Sequence, residues 1–444
     1  MQLKNNKCLQ NDSTDNINKK SSIKGKLTMA TCALLQAGTP AAQAESGEWD
    51  VDTAFLYYSE DGRIDIFEPV VSASKEISDD EFVKFKVVYD TLTGSTPYGA
   101  QPTDSVQTIT NPSGNSNYTV QPNELPLNST FRDTRVSINA DWIIPLDRLK
   151  RITVGANLSN EYDFSSIGAS ASYAQDSSDR NQTYSFGLAF SSDEWDPVGG
   201  KNTEFAYMID GESNSPQPKG GTDTKSNVDL MLGLTQVVNR STIMQFNLGH
   251  STSSGYLTDP YRYISMIGTD GRPLPGANAP TDALPYLYEK RPDSRARNTF
   301  FWRTAHHLTE DVINVSYRYF TDDWGINSHT LDFKYRYELS NNQYLQPHVR
   351  YYTQTEADFY VNSLNANEAL PEFASADYRL RDLVTTTVGL KYGMSVGKNS
   401  EFNARAEIMN QTYTVSNLIG EQNNQDIAPD LDAVILQFGY SFFW

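Results

Sequence analysis

Apolar and polar residues alternate with a period of two along most of this chain, the pattern of strands with one face in a nonpolar medium and one in a polar medium. Val136, Ile138, Ala140 and Trp142 oppose Arg135, Ser137, Asn139 and Asp141. Val228, Leu230, Leu232 and Leu234 oppose Asp229, Gly233 and Thr235. Ile313, Val315, Tyr317 and Tyr319 oppose Asn314, Ser316 and Arg318. Leu331, Phe333, Tyr335 and Tyr337 oppose Asp332, Lys334, Arg336 and Glu338. Four consecutive charged positions on one face require water there. Runs of this kind predict about 16 strands, starting near Trp49, Ile64, Glu81, Phe131, Lys150, Ile167, Thr183, Ser226, Thr242, Asn298, Val312, His329, Tyr344, Ala376, Glu401 and Leu431.

The connections alternate in length. Short turns such as Glu76–Asp80, Pro145–Arg148, Ser177–Asn181 and Asn239–Ser241 interleave with long segments at Thr91–Thr130, Asp196–Lys225, Thr258–Arg297, Val361–Ser375 and Ser416–Asp430. With both termini on the periplasmic side, every short turn is periplasmic and every long loop is external. That asymmetry predicts an all-β fold, a transmembrane antiparallel barrel, and a soluble sandwich has no reason to show it.

The last strand carries the same message in concentrated form. Phe438, Tyr440, Phe442 and Trp444 share one face, continued upstream by Leu436 and Val434, while Gln437, Gly439 and Ser441 share the other. A chain ending on an aromatic, in a strand aromatic on one face, suits the girdle of an outer-membrane barrel and resembles the signal read by the outer-membrane assembly machinery.

Composition removes alternatives. Only 38% of residues are apolar, and no stretch approaches the ~20 apolar residues of a spanning helix. Residues 1–44 read as a signal peptide: Lys19, Lys20, Lys24 and Lys26 precede the apolar Leu27–Ala37, and Ala42-Gln43-Ala44 offers a cleavage site before Glu45. Met29-Ala30-Thr31 before Cys32 makes a poor lipobox. Both cysteines, Cys8 and Cys32, fall in this segment, so residues 45–444, expected to form one barrel domain, have no thiol for a disulfide, a zinc site or attached haem. Those residues hold 30 basic and 53 acidic side chains, a net charge of −23, which argues against nucleic acid as a partner.

The inward face is where chemistry is expected. Lys84, Lys86, Arg135, Asp141, Asp229, Arg303, Arg318, Asp332, Lys334, Arg336, Glu338, Arg350, Arg379, Arg381, Arg405 and Glu407 all fall on it. Such a wall either favours anionic solutes by its potential or is tied up in cross-strand ion pairs around water. The acidic turns Asp193–Gly200 and Thr321–Gly325 place carboxylates beside a tryptophan, a weak calcium signal whose plain alternative is a solvated turn with a girdle tryptophan. His306 and His307 face opposite ways on a strand and cannot chelate one ion, with His307 and His348 pointing inward. His329 beside Ser328 and the Asp322-Asp323 pair is the one cluster resembling a hydrolase site, and it lacks a complete triad. No nucleotide fingerprint, cofactor or metal site is read, and enzymatic activity is not expected.

Four ordered motifs resemble a known family. They are Tyr89–Ala100, Trp195–Gly200, the run from Tyr317-Arg318-Tyr319 through Asp323-Trp324-Gly325-Ile326 to Ser328-His329-Thr330, and Pro347–Tyr352 with Gln354, Ala357, Phe359 and Tyr360. Together they resemble the domain-of-unknown-function 3570 family of Gram-negative bacteria, from about Asp50 to the C-terminus. The resemblance implies an outer-membrane barrel and no catalytic residues. Its members are often encoded near a flavin transferase for exported proteins and a small lipoprotein, which hints at envelope redox chemistry and at a redox-associated lipoprotein as partner. The reading that results is a channel or transport barrel for a hydrophilic solute. The alternative is a non-enzymatic scaffold displaying such a partner through loop tyrosines Tyr98, Tyr118, Tyr261, Tyr263, Tyr286 and Tyr288.

Overall fold

The structure, a computed structural model, describes residues 48–110, 116–340, 342–397, 399–415, 417–427 and 429–443. The segment read as a signal peptide and the terminal Trp444 lie outside the described residues.

Strands follow the two-residue period closely. The chain opens with β1 (Trp49–Glu60), β2 (Ile64–Ser78) and β3 (Glu81–Gly94), then the short loop strands β4 (Gln107–Thr110) and β5 (Asn117–Val120). Next come β6 (Arg132–Asp147), β7 (Lys150–Asn160), β8 (Phe164–Asp176) and β9 (Gln182–Trp195), and the loop strand β10 (Tyr207–Ile209). After β11 (Asp223–Asn239) and β12 (Thr242–Gly255), a loop holds β13 (Tyr263–Ile267) and β14 (Ala283–Tyr288). Four long strands follow: β15 (Ser294–His307), β16 (Val312–Asp322), β17 (Asn327–Ser340) and β18 (Gln343–Gln354). The last loop strand is β19 (Leu364–Asn365), before β20 (Leu383–Val396), β21 (Ser400–Tyr413) and β22 (Leu431–Phe443).

The sixteen long strands close into one antiparallel barrel in the order β1-β2-β3-β6-β7-β8-β9-β11-β12-β15-β16-β17-β18-β20-β21-β22. Closure is by β1 against β22, with Phe55 opposite Phe438 and Thr53 opposite Tyr440. Closing the ring leaves no unpaired edge, which a strand protein in lipid requires. Outward side chains remain exposed although apolar, among them Phe67, Phe85, Ile138, Phe186, Phe190, Leu232, Leu248, Leu331, Phe333, Val349, Leu390, Ile408 and Phe438. Leaving one such side chain in water forgoes roughly 1.5–3 kcal/mol of burial, so an apolar band around the whole barrel calls for a lipid solvent. No helix among the described residues is long and apolar enough to cross a membrane.

Fifteen of the strand starts anticipated from periodicity lie within about four residues of those observed. The sixteenth is corrected: β20 begins at Leu383, and Ala376–Asp382 belongs to the preceding loop. Ala376-Asp377-Tyr378-Arg379-Leu380-Arg381 alternates like a strand, but Asp377 Oδ1 accepts from the Arg379 backbone N–H and starts a single 3-10 turn.

At the turn end, connections are tight. β2 passes to β3 through Asp79-Asp80, where Asp80 takes φ 61°. At the loop end, the long segments do not splay into solvent. β10, β14, β13 and β19 make a four-stranded sheet, and β4 pairs with β5. These pieces share a core containing Tyr98, Ile109, Met208, Tyr263, Leu284, Tyr286 and Tyr288, into which the barrel residues Phe164 and Trp195 also reach. The barrel therefore carries a packed cap.

Candidate functional site

Strand alternation sets the inner wall. Lys84 and Lys86 lie on the inward face of β3, Arg135 and Asp141 on that of β6, Asp229 on β11 and Arg318 on β16. Asp332, Lys334, Arg336 and Glu338 follow on β17, Arg350 on β18, and Arg405 and Glu407 on β21. In most of these strands the flanking residues include exposed apolar ones, such as Phe85, Val136, Leu230, Phe333 and Val349. The two sides of the lumen differ. From β7 to β12 many inward positions are small and neutral, including Gly155, Ser159, Gly168, Ser172, Gly187, Ala189, Asn227 and Gly233, with charge confined to a few such as Asp229 and the paired Lys225 and Asp193. From β15 round to β21 the long charged side chains are concentrated.

Much of that charge is paired, some of it across strands and some along one strand. Arg135 bonds Asp90, and Arg295 bonds Asp322. Arg336 Nε lies 2.6 Å from Glu338 Oε1 while its guanidinium stacks 3.6 Å over Tyr344. Tyr344 in turn donates to Glu401 at 2.9 Å and lies flat across Gly393, where a Cβ would stand 2.1 Å from its ring. Arg350 sits opposite Asp332 in register, yet makes no ion pair within 4 Å among the described residues.

The densest part of the wall is a row around His348. Its Nε2 is 2.8 Å from Asp332 Oδ2, and its Nδ1 is 2.7 Å from Glu407 Oε1. Lys334 is 3.7 Å from Asp332, and Arg405 is 3.7 Å from Glu407. Carboxylates flank the ring on both sides, an arrangement that suits an imidazole donating from both ring nitrogens. The row spans four strands because β20 contributes Gly389, opposite both His348 and Glu407. A Cβ there would fall 2.4 Å from Glu407 Cγ. His348 and Gly389 were not singled out as a pair in the sequence. The signal lay in strand register, which periodicity alone does not supply.

Inside the cap, three carboxylates and three arginines are packed together with little contact to water: Asp259, Glu289 and Asp377 with Arg262, Arg291 and the partly buried Arg379. Arg291 reaches Glu289 at 2.5 Å and Asp377 at 2.8 Å, while Arg379 Nη2 spans Asp377 at 2.6 Å and Asp259 at 2.5 Å. Burial raises the Asp377 pKa, but Arg379, Arg262 and Arg291 outweigh it and hold the carboxyl well below its ordinary range. Asp259 is depressed in the same way. For Glu289 burial wins over Arg291, and its carboxyl moves up. Burial also pushes the Tyr98 hydroxyl up to about 12.

Several expectations change here. Tyr98, Tyr261, Tyr263, Tyr286 and Tyr288 are not a displayed surface; they are buried in the cap core, and Tyr118 packs against it. Long loops without periodicity hide their partners from sequence reading, since those contacts join distant segments. Arg379 and Arg381 belong to the cap and not to the strand wall. Trp195 and Trp324 are buried, not girdle residues: Trp195 stacks edge-on against Phe164 at 4.7 Å, and Trp324 against Phe359 at 5.0 Å. The turn carboxylates are already engaged, Asp322 by Arg295 and the Trp324 and Ile326 backbone N–H groups, Asp323 by the Ala296 N–H. Ser328 and His329 face opposite sides of β17, His329 meeting Tyr317 at 2.7 Å on the outer surface, so they do not meet as a catalytic pair.

The profile of a family described as "Protein of unknown function (DUF3570)" matches residues 24–442. No curated protein matches the chain. Among solved structures, it is similar to a point mutant of the ferric enterobactin receptor PfeA from Pseudomonas aeruginosa in complex with enterobactin, at 9% identity over 84% of this chain and 55% of that one, with a TM-score of 0.42. It is also similar to the siderophore receptor PirA from Acinetobacter baumannii, at 8% identity over 89% and 60%, TM-score 0.41. A third is a mutant of the monoaromatic hydrocarbon channel TodX, at 11% identity over 90% and 91%, TM-score 0.39. The chain spans little more than half the length of the two siderophore receptors.

Proposed function

The chain belongs to the DUF3570 family, and from that premise we propose that it is a bacterial outer-membrane transport barrel for a hydrophilic, preferentially anionic solute, gated at its loop end by the packed cap. The observation that carries this reading is the inner wall from β15 to β21. Its ionisable side chains stand on strands whose other face is apolar and exposed, an arrangement useful only if polar solutes and water occupy the interior. A ring of sixteen strands is wide enough for an aqueous path. Because Asp332, Glu338 and Glu407 neutralise Lys334, Arg336 and Arg405, the anion preference rests on groups such as Arg350, which no carboxylate holds within 4 Å among the described residues.

The packed cap favours a second reading: a non-conducting barrel that anchors or displays a partner, such as a small envelope lipoprotein. One experiment separates the two. Planar-bilayer recordings of refolded protein should show current with anion preference, larger in an Asp377→Ala/Arg379→Ala variant whose cap is loosened. Folded barrels carrying no current in either form would contradict transport, and a stoichiometric co-purifying lipoprotein would then support the scaffold.

A further inference from the structure

Between the cap and the outer mouth of the barrel lies a cavity of about 30 Å³. Its wall is drawn from five places: Arg63 at the β1–β2 turn, Gln101 in the loop after β3, Tyr360, Tyr378 and Arg381 from the cap, Tyr413 at the end of β21, and Ile427 and Pro429 in the loop before β22. That volume accommodates a pair of waters or one small ion. Its lining mixes these polar and aromatic side chains with apolar ones such as Ala100 and Ala376.

Arg381 is the unusual member. It is 2% exposed, yet it makes no ion pair within 4 Å among the described residues. Its Nη2 donates to the Thr414 carbonyl at 3.1 Å, its Nε–H is buried with no acceptor, and its guanidinium lies between the rings of Tyr360 at 5.6 Å and Tyr413 at 5.1 Å. Every other buried arginine of the cap is compensated by Asp259, Glu289 or Asp377. The acids that feel this region are Glu356, on the surface, Glu60, which accepts from Tyr58 at 2.6 Å, and Asp377, which is already held by Arg291 and Arg379. A desolvated guanidinium without a counterion is costly, and an anion beside it removes the cost. Arg63 supplies a second cation, held in place by the Pro429 and Asp430 carbonyls at 2.7 and 3.0 Å. Across the cavity Gln101 is fixed by donating to the Asn362 carbonyl at 3.1 Å, which leaves its buried Oε1 without a donor.

We propose that this cavity is a binding site for a small oxyanion that also carries a hydroxyl, with Arg381 and Arg63 taking the anionic oxygens and Gln101 Oε1 accepting from the hydroxyl. Hydrogen phosphate and short hydroxy acids share that chemistry; sulfate lacks the donor. Since the lining comes from cap and barrel together, occupancy ties one to the other. The assignment stands on this cavity alone and does not depend on transport.

The test is isothermal titration of the refolded full chain in detergent with inorganic phosphate, glycolate and sulfate. Saturable phosphate or glycolate binding is expected, with sulfate about tenfold weaker or more, the size of one missing hydrogen bond to a buried acceptor. Arg381→Lys, which loses the guanidinium's fork of donors, and Arg63→Gln, which loses the charge, should each weaken phosphate binding by about tenfold or more. Gln101→Leu should remove the preference over sulfate, and it carries the test if Arg381→Lys fails to fold. No saturable binding of phosphate or glycolate to folded wild type, binding unchanged in both arginine variants, or sulfate binding as tightly as phosphate would each overturn the assignment. Conductance plays no part in this readout, so a non-conducting barrel that binds phosphate refutes transport and not the site.

Discussion

His348 Nδ1 lies 2.7 Å from Glu407 Oε1 although β20 runs between their strands, because the residue between them is Gly389. An inward glycine here works as a floor on which a long neighbour lies flat, and Gly393 does the same for Tyr344. Gly389→Ala would drive a Cβ to 2.4 Å from Glu407 Cγ and 3.0 Å from the Ala406 carbonyl. Overpacking of this kind costs about 1–3 kcal/mol. The variant should still form a barrel but unfold at lower temperature, as heat-modifiability on gels reads; an unchanged midpoint would mean that the row is not held as described.

The two faces of β17 and β18 should respond oppositely to charge. Phe333 is 41% exposed on the outer face, and Phe333→Lys should block membrane insertion at a cost of about 2–4 kcal/mol near mid-bilayer. Arg350→Ala, on the inner face, should fold normally and lower the anion preference in the reversal potential. Normal insertion of the Phe333 variant would place that face out of the lipid.

The closing strand gives a third expectation. Phe438 and Tyr440 are exposed on the outer face of β22, and Phe442 shares that face. Phe438→Asp with Phe442→Asp should prevent assembly into the outer membrane, by putting charge against lipid and by damaging the terminal signal. Wild-type levels of heat-modifiable barrel in outer-membrane fractions would contradict this.

Acid should open the cap within a defined window. The folded-state pKa of Asp377 is depressed, so its stabilisation is present in full above the ordinary value of 3.8 and is lost as pH falls through the folded value. Asp259 follows the same sign, whereas Glu289, whose pKa is raised, takes up its proton earlier without favouring opening. Amide exchange in β13 and β14 should therefore stay slow at pH 5 and accelerate below about pH 4. Asp377→Asn, which leaves Arg291 and Arg379 short of a counter-charge, should cost about 3–5 kcal/mol and give fast exchange at neutral pH.

Much of the barrel was legible in the sequence because a strand between lipid and water writes its two environments onto alternate residues. Leu331 to Glu338 carry that code plainly. The cap was not legible, since Tyr98, Tyr263 and Tyr286 come from segments far apart in sequence and meet only through tertiary packing. Composition alone made those tyrosines look like a displayed surface. The same limit hid the start of β20: Ala376–Arg381 alternates like a strand, and only the long-range partners of Asp377 and Arg379 hold it in the cap. The inner wall was legible by residue, but its pairing was not, because register decides whether His348 faces a carboxylate or an empty glycine.

Transport through this barrel requires the charged face of β17 to line a wet interior. Both cysteines of the chain lie within residues 1–44, so in a chain lacking that segment a Lys334→Cys variant carries a single reporter thiol. Folded barrel in lipid should be labelled at position 334 by a charged, membrane-impermeant maleimide and spared by a reagent confined to the bilayer. Labelling by the lipid-soluble reagent alone would place this face in hydrocarbon and contradict both the register and the transport reading.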